Sequence, residues 1–177
     1  MNGALKAAGF LLLCSSPVLA QEATASPDVA RVAFIKPDNT AIGTGTLIET
    51  PHGLLIQAKL TGLPPGPHGF HIHEVGTCDG GDSFKSAGGH YAPNANKHGY
   101  MSDNGPHAGD LPNQTVAADG SMLVEVFAPD LRLTEGEAAV LDSDGSAIVI
   151  HATADDYRSQ PSGASGDRLA CGVIEQR

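Results

Sequence analysis

The chain has 177 residues, 41% of them hydrophobic, which is enough for one domain with a real core. Twenty acidic residues outweigh ten basic ones, a net charge of −10 that argues against nucleic acid or an anionic membrane surface as a partner. With no Trp, five Phe and three Tyr, the core has to rely on Val, Ile, Leu and Ala.

The N-terminus has the form of a secretory signal peptide over residues 1–20. Lys6 supplies a short positive region, Ala7 to Leu13 an apolar stretch, and Pro17-Val18-Leu19-Ala20 a small-residue exit. That run is too short to cross a bilayer, and no later stretch nears ~20 apolar residues, so no membrane span is expected. Lipidation at Cys14 is disfavoured, because Leu13 is larger than the small residue such signals use. Residues 21–28 (QEATASPD) read as a flexible lead-in, and residues 29–177 as the folded domain. Cleavage after Ala20 removes Lys6, taking the net charge from −10 to −11. It also leaves two cysteines, Cys78 and Cys171, an even number in an exported protein. One intramolecular disulfide is then the natural reading, with free thiols or metal ligands as alternatives.

Three strand-like runs follow, VARVAFIK (29–36), AIGTGTLIE (41–49) and GLLIQAKL (53–60). Turn signals at Pro37-Asp38-Asn39 and Thr50-Pro51-His52-Gly53 separate them. Short strands at intervals of roughly 8–12 residues with such punctuation suggest an antiparallel sandwich or barrel. The pattern resumes in TVAADGSMLVEVFAP, with a hairpin turn at Ala118-Asp119-Gly120, and in AAVLDSDGSAIVIH, with a turn at Asp142-Ser143-Asp144-Gly145. Residues 74–110 and 154–168 carry no periodicity and read as two long functional loops. No helix of useful length is readable, so the fold class is all-β.

Six of the eight histidines stand in or beside those loops: His71, His73, His90, His98, His107 and His151. Asp110 follows three residues after His107. Neutral imidazole is the commonest protein ligand for zinc and copper. His71 and His73 lie two apart on a strand, so both imidazoles share a face and can reach one ion. The loop supplies His90, His98, His107 and Asp110, and three imidazoles with one carboxylate suit a closed, four-coordinate zinc site.

With GFHIHE, AGGH, KHG, HAGD, the HATADD segment and DRLACGV in order over the mature chain, the sequence resembles the copper/zinc superoxide dismutases. The resemblance implies a Greek-key β-sandwich or flattened barrel holding one copper and one zinc. It implies His71, His73, His90 and His151 on copper, and His90, His98, His107 and Asp110 on zinc. His90 would be the bridging ligand and proton carrier. Arg168 would attract the superoxide anion, Asp155 would link a copper histidine to a zinc histidine, and Cys78 would pair with Cys171. Superoxide would be converted to dioxygen and hydrogen peroxide through alternating reduction and oxidation of the copper.

Other residues have plainer readings. His52 reads as solvated and His68 as a neighbour without a ligand role. Lys85 is by default a surface lysine, with assistance to Arg168 in steering as the sharper alternative. Asp142 and Asp144 begin like a calcium loop but lack its later ligands. Asn113-Gln114-Thr115 is a formal glycosylation sequon. An exported copper/zinc buffer or chaperone without turnover is the competing function. A zinc hydrolase is disfavoured because the His3Asp set leaves no open position. The signal peptide and the bacterial look of YRSQPSG point to the periplasm, and the sequence leaves monomer and homodimer both open.

Overall fold

The computed structural model describes Met1 and residues 28–176. The signal-peptide reading, Cys14 and the lead-in up to residue 27 lie outside the described residues. Eight strands follow in order: β1 Val29–Ile35, β2 Ala41–Thr50, β3 Gly53–Leu60, β4 Gly66–His73, β5 Asp110–Val116, β6 Met122–Ala128, β7 Ala147–His151 and β8 Arg168–Gln176. They form one antiparallel sheet in the order β5-β4-β7-β8-β1-β2-β3-β6. The terminal strands β5 and β6 are joined by a tight turn, in which Ser121 O accepts the Ala117 N–H at 2.7 Å. The sheet therefore curls into a nearly closed, flattened barrel. The connections β3 to β4 and β6 to β7 cross between non-neighbouring strands, as a Greek key requires.

Alternation explains which residues fill it. Ala30, Val32 and Phe34 of β1, Leu54, Ile56, Ala58 and Leu60 of β3, and Met122, Val124, Val126 and Ala128 of β6 point inward and are buried. Strand β7 departs from this rule, since all five of its residues are buried. Ile148 and Ile150 join the main core. Ala147 and Val149 face outward against Phe84, Ala87 and Cys171 in a second, smaller cluster. The loop after β4 is thus packed onto the outside of the barrel. Its covalent tether is the Cys78–Cys171 disulfide, with the two Cα atoms 5.7 Å apart.

Two details differ from the sequence reading. The apolar run Ala138–Leu141 makes no strand of a hairpin ending at Asp142–Gly145. Only an isolated bridge pairs Arg132 with Ala139, while Leu131, Leu133 and Val140 are buried in the main core. Hydrophobicity there serves to fill the core rather than to build a ladder. Strand β5 also starts at Asp110, earlier than its composition suggests, because Pro112 is tolerated on a strand at the end of the sheet order.

Candidate metal centre

Phe70 and Ile72 of β4 lie in the core, so alternation puts His71 and His73 together on the outer face. His151 ends β7, the strand paired with β4 through Phe70 opposite Ile150. His90 is brought in by an isolated bridge to His73. One donor atom from each of His71, His73, His90 and His151 falls within 4.8 Å of the others, and all four residues are buried. A second set, His90, His98, His107 and Asp110, meets the same limit. The two sets share His90.

Contacts on the outer side of each ring decide which nitrogen is left for an ion. His73 Nδ1 donates to Gly88 O (3.0 Å) and His151 Nδ1 to Gly166 O (3.3 Å), leaving Nε2 inward on both rings. Those two Nε2 atoms stand 3.4 Å apart. His71 is turned the other way, with Nε2 donating to Asp155 Oδ2 at 2.8 Å. Its Nδ1 is buried without a hydrogen-bond partner among the described residues, as is His90 Nε2. Two orphaned imidazole nitrogens in a dry site are costly unless a cation takes their lone pairs. On the other side, Nδ1 of His90, His98 and His107 converges on Asp110 Oδ1 at 2.8, 3.0 and 3.2 Å. Four imidazoles, and three imidazoles with a carboxylate, fit copper and zinc respectively.

The electrostatics favour ligation. Burial pushes the His90 and His151 imidazoles down to about 4 and about 3, and His73 well below its ordinary value. All three are neutral near pH 7, the form that binds metal. Burial would raise Asp110, but hydrogen bonds from His107, His90 and the Gly99 N–H outweigh it and hold the carboxyl far below its ordinary value. Asp155 is likewise lowered against its burial, by His71, the Tyr157 N–H and His98.

Asp155 lies between the sets. Its Oδ1 accepts from His98 Nε2 at 3.0 Å while Oδ2 holds His71. Arg168, the first residue of β8, is half-buried and gripped by two carbonyls of the 78–90 loop. It donates through Nη1 to Phe84 O and through Nη2 to Gly88 O (2.7 Å). Gly88 O therefore serves both His73 and Arg168. Lys85 is exposed on the same loop, and His52 is exposed in the β2–β3 turn.

Several contributors are invisible in the sequence pattern. His68 is buried, with Nδ1 2.7 Å from His151 O and Nε2 2.8 Å from Pro64 O, and so braces the strand end carrying His151. Asn113 of the formal sequon has its amide committed inward: Nδ2 donates to Asp155 O (2.9 Å) and Oδ1 accepts the Asp155 N–H (2.8 Å). Gln160 brackets His98, accepting its N–H at 3.1 Å and donating to its carbonyl at 2.8 Å. Gly163, at φ +68°, leaves no room for a Cβ, which would stand 1.8 Å from Asp155 Oδ1 and 2.7 Å from His98 Nε2. Asp142 and Asp144 both lie in the bend before β7.

A nearly closed antiparallel barrel carrying two four-donor sets joined through one imidazole defines a dinuclear metalloprotein. Residues 41–174 match the family described as copper/zinc superoxide dismutase (SODC). The chain is 44% identical to Superoxide dismutase [Cu-Zn] 2 of Aquifex aeolicus over 170 residues, covering 94% of this chain and 95% of that one. It is 45% identical to Superoxide dismutase [Cu-Zn] of Caulobacter vibrioides, over 78% of this chain and 80% of that one. Its fold superposes on the crystal structure of a SOD-like protein from Bacillus subtilis with a TM-score of 0.77 and 41% identity, covering 81% of this chain and 96% of that one. The chain belongs to the copper/zinc superoxide dismutase family. It is an oxidoreductase that dismutes superoxide to dioxygen and hydrogen peroxide, with copper and zinc as its cofactors. The reading as a buffer without turnover is not favoured.

Proposed function

We propose that His71, His73, His90 and His151 hold the copper and that His90, His98, His107 and Asp110 hold the zinc, one ion of each per chain. The observation that carries this division is His90 itself. Its Nδ1 stands 2.8 Å from Asp110 Oδ1, while its buried Nε2 has no partner and belongs to the other set. When bound, copper supplies a one-electron step in each direction and zinc, without an accessible redox step, supplies fixed charge. His90 then holds a proton on Nε2 and passes it to the departing peroxide, while its Nδ1 keeps the ring in place. Asp155 holds the outer nitrogens of His71 and His98, so both sets keep their geometry through the cycle.

Arg168 draws in the anion. Of its five N–H donors two are spent on Phe84 O and Gly88 O, which fixes the guanidinium and leaves three for superoxide. It supplies local positive charge in a protein of net charge −10. Lys85 assists it from the same loop; an unchanged rate and salt dependence in Lys85→Ala would dismiss that part. We also propose that residues 1–20 are a cleaved signal peptide, that 21–28 form a lead-in and 29–177 the enzyme domain, and that the protein works in the periplasm. The bacterial relatives and a disulfide suited to an oxidising compartment support this address. N-terminal sequencing of protein from a periplasmic fraction tests it, and sedimentation velocity decides between monomer and homodimer.

The test of the main reading is superoxide decay after pulse radiolysis with stoichiometrically loaded protein. The expected rate is near diffusion-limited and falls with salt. Superoxide dismutase is itself a standard case of both behaviours. Metal analysis of His151→Ala, expected to lose copper and keep zinc, and of His107→Ala, expected to do the reverse, tests the division. A loaded protein no faster than the metal-free form would reject it.

A further inference from the structure

The loop between Cys78 and His90 makes two single turns, Gly80–Asp82 and Lys85–Ala87, and supplies both carbonyls that hold Arg168. It is pressed against the β1–β2 turn, since a Cβ on Gly80 would stand 2.1 Å from Pro37 O. Phe84 and Ala87 root it in the outer cluster on β7. Asp82 ties the two turns together: its Oδ2 accepts the Ser86 N–H at 2.9 Å. Its other oxygen, Oδ1, is out of contact with water and meets no donor. Among the described residues this is the one carboxylate oxygen so placed, and it lies outside both metal-binding sets. Among the described residues Asp82 makes no ion pair within 4.0 Å. Its charge nevertheless bears on Arg168, where it opposes the effect of burial on the guanidinium.

A residue needed only to accept from Ser86 could be neutral. Its second oxygen is buried without a donor two residues before Phe84, whose carbonyl holds Arg168, and a buried acceptor left unpaired is a costly way to close a turn. Fast turnover gains nothing from holding substrate or product tightly. We propose that Asp82 is a positioning residue for the reaction, a counterweight that weakens the grip of Arg168 on anions so that spectator anions such as phosphate leave quickly and do not block superoxide. This rests on the reading of Arg168 as the anion-binding group.

The test uses cuprous, zinc-loaded holoenzyme and inorganic phosphate, followed through the guanidinium 15N–1H resonances of Arg168. Asp82→Asn removes the charge and keeps an oxygen for the Ser86 N–H. It is expected to bind phosphate about two- to fivefold more tightly and to show steeper phosphate inhibition of superoxide decay, the size expected for one partly screened charge. Asp82→Glu is expected to stay near the parent, and Asp82→Ser, a second neutral variant, to follow Asp82→Asn if the amide disturbs the loop. Unchanged phosphate affinity in both neutral variants, with affinity lost in an Arg168→Gln holoenzyme probed through Lys85 and Gly88 amides, overturns the proposal and leaves Arg168 standing. Phosphate affinity untouched in Arg168→Gln overturns the reading of Arg168 and the proposal with it.

Discussion

Replacing Asp155 by Asn tests the tie between the two metal-binding sets more sharply than any change to a ligand. The side chain keeps its size and one acceptor oxygen, but its amide now faces a ring N–H. In the parent, Oδ2 accepts from His71 at 2.8 Å and Oδ1 from His98 at 3.0 Å, in a site where neither histidine side chain has any exposed surface. Asn can satisfy only one of them. One charge-assisted hydrogen bond is lost, about 1.5–3 kcal/mol, and a buried N–H is stranded or its ring forced to the wrong tautomer. The backbone of Asp155 stays braced by Asn113, so the loop itself should not move. The expected outcome is a 10–100-fold loss of zinc affinity, equivalent to about 1.4–2.7 kcal/mol. A competition titration against a chromophoric chelator at pH 7 measures it, with thermal unfolding of the metal-free form as a control for general damage. Zinc affinity within twofold of the parent would refute the reasoning, because the outer hydrogen bonds would then have no hold on the ligands.

Three further outcomes are expected. Gly163→Ala drives a Cβ into Asp155 Oδ1 at φ +68°, so it should reproduce most of the Asp155→Asn zinc loss without touching a ligand; a chelator titration indistinguishable from the parent would count against the packing described. Cys171→Ser opens a covalent loop spanning 93 residues, and chain entropy puts the cost at about 4–5 kcal/mol. Urea unfolding should show that loss, and loaded enzyme should turn over more slowly because the loop gripping Arg168 is untethered. Metal-free protein should be acid-labile. His90 and His151 are depressed to about 4 and about 3, so the unfolded chain binds more protons below its own histidine value of 6.5. Stability is then complete above about pH 6.5 and lost as pH falls through 4, with His90 alone contributing about 3 kcal/mol. Asp110 acts in the same direction below 3.8. Urea midpoints equal at pH 7 and pH 4.5 would contradict this.

The donors were legible because their chemistry is local. An imidazole two residues from another on a strand, or three residues before an aspartate, announces itself whatever surrounds it. The barrel was legible for the same reason, since β1, β3 and β6 alternate in the sequence as they do in the sheet. What braces the ligands was not legible. Asn113 looks like a glycan acceptor and Gly163 like loop filler until Asp155, 42 and eight residues away, is placed against them. His68 has no signature that separates it from a solvated histidine, because its partners are backbone carbonyls. Ala138–Leu141 has the composition of a strand, and only the arrangement of the whole barrel makes it a plug.

The carbonyl of Gly88 accepts one hydrogen bond from the His73 ring and another from the Arg168 guanidinium. In the roles proposed for His73 and Arg168, a single atom ties the tuning of a ligand to the aim of the group that draws in the anion, and neither can be adjusted alone. It also sets a rule for how this loop can vary in length. Phe84 O and Gly88 O must both reach one guanidinium, so the three residues between them form a fixed spacer. Lengthening within Lys85–Ala87 should disturb the hold on Arg168 and on His73 together.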